Sequence, residues 1–168
     1  DGCTRHLSRY PMVRVLFVCT GNICRSPTAE GVFCAQVKAA GLAGRIEVDS
    51  AGTIAFHTGE PPDARAQETA LARGIDLSAQ RARQVAKSDF NRFDLILAID
   101  RSHHQRLSGL CPVGEEHRLH ILMDFAPETG VVDVPDPYYG ALGGFDRVFD
   151  LIEAAAASLL REIRDRHL

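Results

Sequence analysis

Val13-Arg14-Val15-Leu16-Phe17-Val18 is a short apolar run rich in β-branched residues, and it closes at a glycine-containing turn. Such a run predicts a strand buried in a parallel sheet. Ser26-Pro27 then reads as a helix start, with serine as N-cap and proline in the first helical position. Ala29, Val32, Phe33, Val37 and Ala40 carry that helix on to Gly41. Ile46 to Ser50 predicts a second strand, followed by a Gly/Pro-rich loop from Gly52 to Pro62. A helix from about Asp63 to Arg73 comes next, closed by Gly74. Asp94 to Ile99 and Arg118 to Met123 predict two further strands, separated by a short helix over Arg101 to Leu110. Residues 124–144 contain Pro127, Pro135 and Pro137 and predict a long loop, and alanine-rich Gly144 to Arg166 predicts the terminal helix.

Strands alternating with helices imply a parallel sheet covered on both faces. The expected fold is therefore α/β: three layers, α/β/α, around a small four-stranded parallel sheet. Ligands of such sheets bind at the carboxyl ends of the strands, which is where Cys19 to Ser26 lies. The length of 168 residues fits one domain. Met12, just before the first strand, is a candidate natural start. Residues 1–11 are accordingly set aside as an N-terminal extension, either foreign to the native protein or a real arm, and residues 12–168 are read as a single domain.

A net charge of -3 offers no global attraction to nucleic acid or an anionic membrane, so an anionic ligand needs a local site. No run approaches the roughly 20 apolar residues of a membrane span, and no signal-peptide pattern opens the chain. Five cysteines, an odd number unevenly spaced, do not suggest a disulfide framework, and none shows zinc-ligand spacing. A reducing, cytoplasmic setting without metal or cofactor is expected.

The loop Cys19-Thr20-Gly21-Asn22-Ile23-Cys24-Arg25-Ser26 joins a strand end to a helix start. A helix N-terminus presents unpaired N–H groups and a positive dipole end, which suits an anion. Gly21 and Asn22 tolerate left-handed backbone angles, so successive N–H groups can turn inward around an oxyanion. Arg25 adds a planar fork able to hold two phosphate oxygens. The same positive field favours the thiolate of Cys19, and Ser26 can donate to its sulfur. A thiolate aligned beside a bound phosphate is a nucleophile poised for attack.

At this point the chain resembles the low-molecular-weight protein tyrosine phosphatases. The segment Val15 to Glu30 is similar to that family's signature almost without gaps, and Ser50 to Thr53, Gly59 to Arg65, Ala82 to Gln84 and Asp136 to Tyr138 follow in the family's order. The resemblance implies a flavodoxin-like strand order with the phosphate loop after strand 1, and hydrolysis of phosphotyrosine in proteins through a cysteinyl-phosphate. Cys19 would be the nucleophile, and Thr20, Gly21, Asn22, Ile23, Cys24 and Arg25 the phosphate-binding loop, with Ser26 and Ser50 in support. The leaving phenolate needs an acid. Chemistry alone leaves both Asp133 and Asp136 open; the family's Asp-Pro-Tyr places the acid at Asp136. Phe56, Tyr138 and Tyr139 would line the cleft, where aromatic walls favour an aryl phosphate. Phe56 also has a plainer reading, as the anchor of its own loop. A phosphotyrosine protein is the expected partner, phosphate or vanadate an expected inhibitor, and a monomer the expected state.

Where the family often has a histidine linked to Asn22, this chain has Gln80, so that support is expected to differ. The resemblance also implies a reversible Cys19–Cys24 disulfide under oxidation. His103 and His104 read as a solvated pair on a helix surface. Arsenate reduction is disfavoured because residues 80–100 contain no further cysteine and Cys111 is isolated. Bulky Ile23 argues for an aryl ring over a phosphoarginine guanidinium. A bare anion-binding module would need neither Cys19 nor Asp136.

Overall fold

The structure, a computed structural model, describes residues 12–138 and 144–168. Tyr139 and the extension 1–11 lie outside the described residues. Four parallel strands form one sheet in the order β2-β1-β3-β4: β1 (Val13–Cys19), β2 (Ile46–Gly52), β3 (Leu95–Ala98) and β4 (Leu119–Ile121). The helices are α1 (Arg25–Ala39), α2 (Ala64–Ala72), α3 (Asp89–Arg92), α4 (Arg101–Leu110) and α5 (Gly144–Arg166).

β1 occupies the centre because both of its faces are apolar. Val13, Val15, Phe17 and Cys19 point into the larger core with Val32, Phe33 and Ile152 of α1 and α5. Leu16 and Val18 point the other way, toward Phe90 of α3, Phe93 just after it and Leu107 of α4. This alternation fixes the register, since a slip of one residue would exchange the two cores. Val13 to Cys19 pair in parallel with Ile46 to Gly52, which brings the C-terminal end of β2 level with the nucleophile candidate. The helices cover both faces, giving the three-layer flavodoxin-like fold expected.

Three local expectations change. Ser26 is not the N-cap of α1: Cys24 takes that position, and no side chain caps the helix. The helix end is thus left open toward the loop, and the Ser26 hydroxyl is used elsewhere. The one-turn helix α3 carries no periodicity that could mark it in the sequence; burial of Asp89 and Phe90 within it, with Phe93 beyond, holds its four residues. The fourth strand is only three residues long, flanked by 3-10 turns at Glu116–Arg118 and Leu122–Phe125. By contrast, Asp63 caps α2 by accepting from the Arg65 amide, and Asp100 caps α4 by accepting from the His103 amide. Ala155, Ala156, Leu159 and Leu160 of α5 are buried, so that stretch is packing.

Candidate active site

The loop after β1 is shaped by contacts that turn its carbonyls outward. Thr20 O accepts from Ile54 N at 3.2 Å. Because the peptide is planar and trans, the Gly21 N–H in the same unit points the opposite way, toward the cavity. Asn22 takes the left-handed conformation (φ 58°), the one non-glycine residue among those described to do so. Gly21 has no positive φ; its lack of a side chain matters because a Cβ there would lie 2.9 Å from His57 Cδ2. Gly52, at the end of β2, is held more tightly still: a Cβ would meet Thr20 O at 2.5 Å and Asn22 N at 3.1 Å. Among the described residues, none of the amides of residues 20–24 donates to a protein acceptor.

The Asn22 side chain faces away from the cavity and ties the loop down. Its Oδ1 accepts from the Arg83 amide at 3.0 Å, which orients Nδ2 toward Ser26 Oγ (2.8 Å) and Ser50 Oγ (3.0 Å). Ser50 donates onward to Glu30 Oε1 at 2.6 Å. Ser26 Oγ, having accepted from Asn22, lies 3.0 Å from Cys19 Sγ. Gln80 stands apart from this network, its Nε2 donating to Pro27 O at 3.1 Å. The residue in the family's histidine position is therefore not what holds Asn22; the Arg83 backbone, Ser26 and Ser50 do.

Glu30 closes the network in a partly buried place. Burial, helped by Asp49 and opposed by the Ser50 hydrogen bond, pushes its carboxyl up to about 7. An unfolded chain releases that proton near pH 4.5, so folding takes up a proton between about pH 4.5 and 7 and stability falls as pH rises through that window. Glu30→Gln should remove this dependence: denaturant titrations at pH 4.5 and pH 8 should show the variant gaining up to about 3 kcal/mol on wild type at the higher pH. A stability difference independent of pH would refute the assignment.

Arg25 is buried, with 5% of its surface exposed. Its Nη1 donates to Asp100 Oδ2 and to Val134 O, each at 2.9 Å, and its Nη2 lies 3.6 Å from Asp136 Oδ2. A buried cation needs such partners to offset its lost hydration. Burial alone would raise the carboxyl of Asp100, but hydrogen bonds from Ser102 and the His103 amide, with the charge of Arg25, hold it below the usual carboxylate range.

A cavity of about 270 Å³ opens over the loop, lined by Cys19, Thr20, Ile23, Arg25, Phe56 and Asp136 among others. Gly21, Cys24, His57 and Tyr138 line it as well. Asp136 borders the cavity and accepts from the Tyr138 amide at 3.0 Å, whereas Asp133 is occupied by Arg101, whose Nη2 donates at 2.8 Å. The geometry thus separates the two candidate acids. Phe56 is 83% exposed and packs edge-on against His57, so it is a wall of the cleft and not a core residue. Tyr138 forms a second wall, with the Arg65 guanidinium over its ring at 5.5 Å.

Cys24 is buried beside Cys19, and desolvation, reinforced by Asp63, Cys19 and Asp136, pushes its thiol up to about 12. At neutral pH it is protonated, which leaves Cys19 as the nucleophile candidate of the pair. The structure corrects the reading of His103, which is 2% exposed and lies against the loop, its Nε2 2.7 Å from Thr20 Oγ1. Helical spacing could have found it, since His103, Leu107 and Leu110 fall on one stripe. No helix of the described residues is long and apolar enough to cross a membrane, and no three His, Cys, Asp or Glu side chains among them are grouped to hold a metal ion.

With that geometry in hand, comparison with known proteins is specific. The family model "Low molecular weight phosphotyrosine protein phosphatase" matches residues 14–167. A low molecular weight protein-tyrosine-phosphatase of Streptomyces coelicolor is 44% identical over 156 residues, spanning 91% of this chain and 94% of the relative. YfkJ of Bacillus subtilis, a protein of the same description, is 39% identical over 153 residues. Its crystal structure superposes with a TM-score of 0.90 at 38% identity, covering 96% of this chain and all of the other. A protein tyrosine phosphatase of Entamoeba histolytica, solved with Hepes in its active site, superposes with a TM-score of 0.89 at 36% identity, covering 93% of this chain and 99% of that one.

Proposed function

The chain belongs to the low molecular weight phosphotyrosine protein phosphatases, and from this premise we propose that it hydrolyses phosphotyrosine in proteins by way of a cysteinyl-phosphate. The observation that carries the reading is that Asp136, distant in sequence from the loop, borders one aromatic-walled cavity with Cys19 and Arg25.

The Cys19 thiolate attacks phosphorus in line, forming the S–P bond as the P–O bond to the phenol breaks. The free amides of the loop and the Arg25 guanidinium hold the equatorial oxygens, where charge spreads in the transition state. Asp136 gives its proton to the departing phenolate oxygen. The resulting carboxylate then takes a proton from water, whose oxygen displaces sulfur to release inorganic phosphate and regenerate the thiolate. Phosphate is therefore a product that should also compete for the site, as should vanadate. The reaction draws only on residues of this chain, so it should survive a chelator. The expected setting is the cytoplasm, acting as a monomer on phosphoproteins.

Phe56 and Tyr138 flank the opening and suit a flat ring. The test is a turnover assay with phosphotyrosine, phosphoserine, phosphoarginine and arsenate, each with chelator present. Phosphotyrosine should be hydrolysed well ahead of the others. Faster release of phosphate from phosphoserine or phosphoarginine, or reduction of arsenate, would overturn the assignment.

A further inference from the structure

His103 does nothing in the scheme above, yet it is buried directly against the loop. Resting on the phosphatase reading, we infer that His103 is a positioning residue, a neutral imidazole that ties the Thr20 hydroxyl to Asp100, the carboxylate that also holds Arg25. Three observations converge on it. His103 Nε2 lies 2.7 Å from Thr20 Oγ1, a short contact between side chains 83 residues apart. Its Nδ1 lies 3.1 Å from Asp100 Oδ1, close in space but too bent to count as a well-formed hydrogen bond, and it has no better acceptor. Asp100 Oδ2 meanwhile accepts from Arg25 Nη1 at 2.9 Å.

Hydrogen counting fixes the polarity of this chain. An unprotonated Nδ1 would set a lone pair against the Asp100 carboxylate, so the Nδ1–H tautomer is the stable one. Nε2 is then an acceptor, and Thr20 must donate to it. The imidazole stays neutral because burial, aided by the Arg25 charge and opposed by Asp100, drives it down to about 4. Thr20 is therefore fixed twice, by its carbonyl on Ile54 N and by its hydroxyl on His103. Those two anchors set the peptide plane that aims the Gly21 amide into the cavity. Through Asp100 the same link keeps the guanidinium and the start of the loop in one rigid frame. Such a frame matters most when charge develops on the equatorial oxygens, so the effect belongs in kcat more than in KM.

The test uses His103→Leu, similar in bulk without an acceptor; His103→Gln, whose amide oxygen can reach the Nε2 position; Thr20→Val; and the Leu/Val double variant. Each of His103→Leu and Thr20→Val should lower kcat about tenfold while moving KM less than about threefold, as expected for one partly buried hydrogen bond. The double variant should be no worse than either single one, and His103→Gln should recover most of the loss. Nitrogen NMR of the imidazole at neutral pH should show Nδ1 protonated and Nε2 bare. Unchanged kcat in Thr20→Val, losses that multiply in the double variant, no rescue by glutamine, or an Nε2–H tautomer would each overturn the proposal. If His103→Leu does not fold, Thr20→Val and the tautomer still decide it. Wild-type turnover on an aryl phosphate reports separately on the phosphatase reading, and an inert wild type would sink that reading while leaving the NMR result to judge His103.

Discussion

Cys19→Ser should show no measurable turnover, a loss of about 10⁴-fold or more, while still binding phosphate and vanadate. The reasoning is local. Among the described residues, the hydrogen-bond contact of the present sulfur is Ser26 Oγ at 3.0 Å, and a hydroxyl neighbour is no general base. An alcohol is far less acidic than a thiol, so a serine would remain protonated and the attack fails. Binding survives because the free amides and Arg25 are untouched. Calorimetry with phosphate and a sensitive aryl phosphate assay check the two halves. Substantial residual turnover would mean that water attacks phosphorus directly, and loss of phosphate binding would mean that the sulfur itself holds the loop open.

Asp136→Asn should have the second largest effect, and its size should depend on the leaving group. For aryl phosphates that expel a strongly basic phenolate, removing the acid should slow the first step by about 10²–10³-fold. For leaving groups stable as free phenolates, that step should hardly change. The second step loses its base in every case, so good leaving groups should give a rapid burst of phenol followed by slow turnover. Rapid-quench measurement across a series of substituted phenols checks this. A burst rate that falls equally for all of them would remove Asp136 from the acid role. Asp133, held by Arg101 outside the cavity, should then be no better a candidate.

The sheet was legible because its information is local. Val15 to Val18 is apolar on both sides, and burial on both faces follows from that alone. The loop was legible because its chemistry is contiguous in sequence. What escaped was whatever depends on residues meeting from a distance. Nothing local distinguishes His103 from His104 except a place on the stripe shared with Leu107, and its partner Thr20 is 83 residues away. Ser26-Pro27 carries a genuine capping signature, but Asn22 Nδ2 and the sulfur claim its hydroxyl, and the helix end stays open to serve the cavity. The choice between Asp133 and Asp136 was likewise invisible to composition, because the cation that removes Asp133 comes from α4.

The contact of Gly52 with Thr20 O and Asn22 N has a wider meaning. Residues 19–26 do not fold their own cradle; they are cast against the neighbouring strand as in a mould. Transplanting that octapeptide onto another strand–turn–helix would carry the words without the press that shapes them. Any broadening of residue 52 reaches the backbone of the loop before it reaches the core.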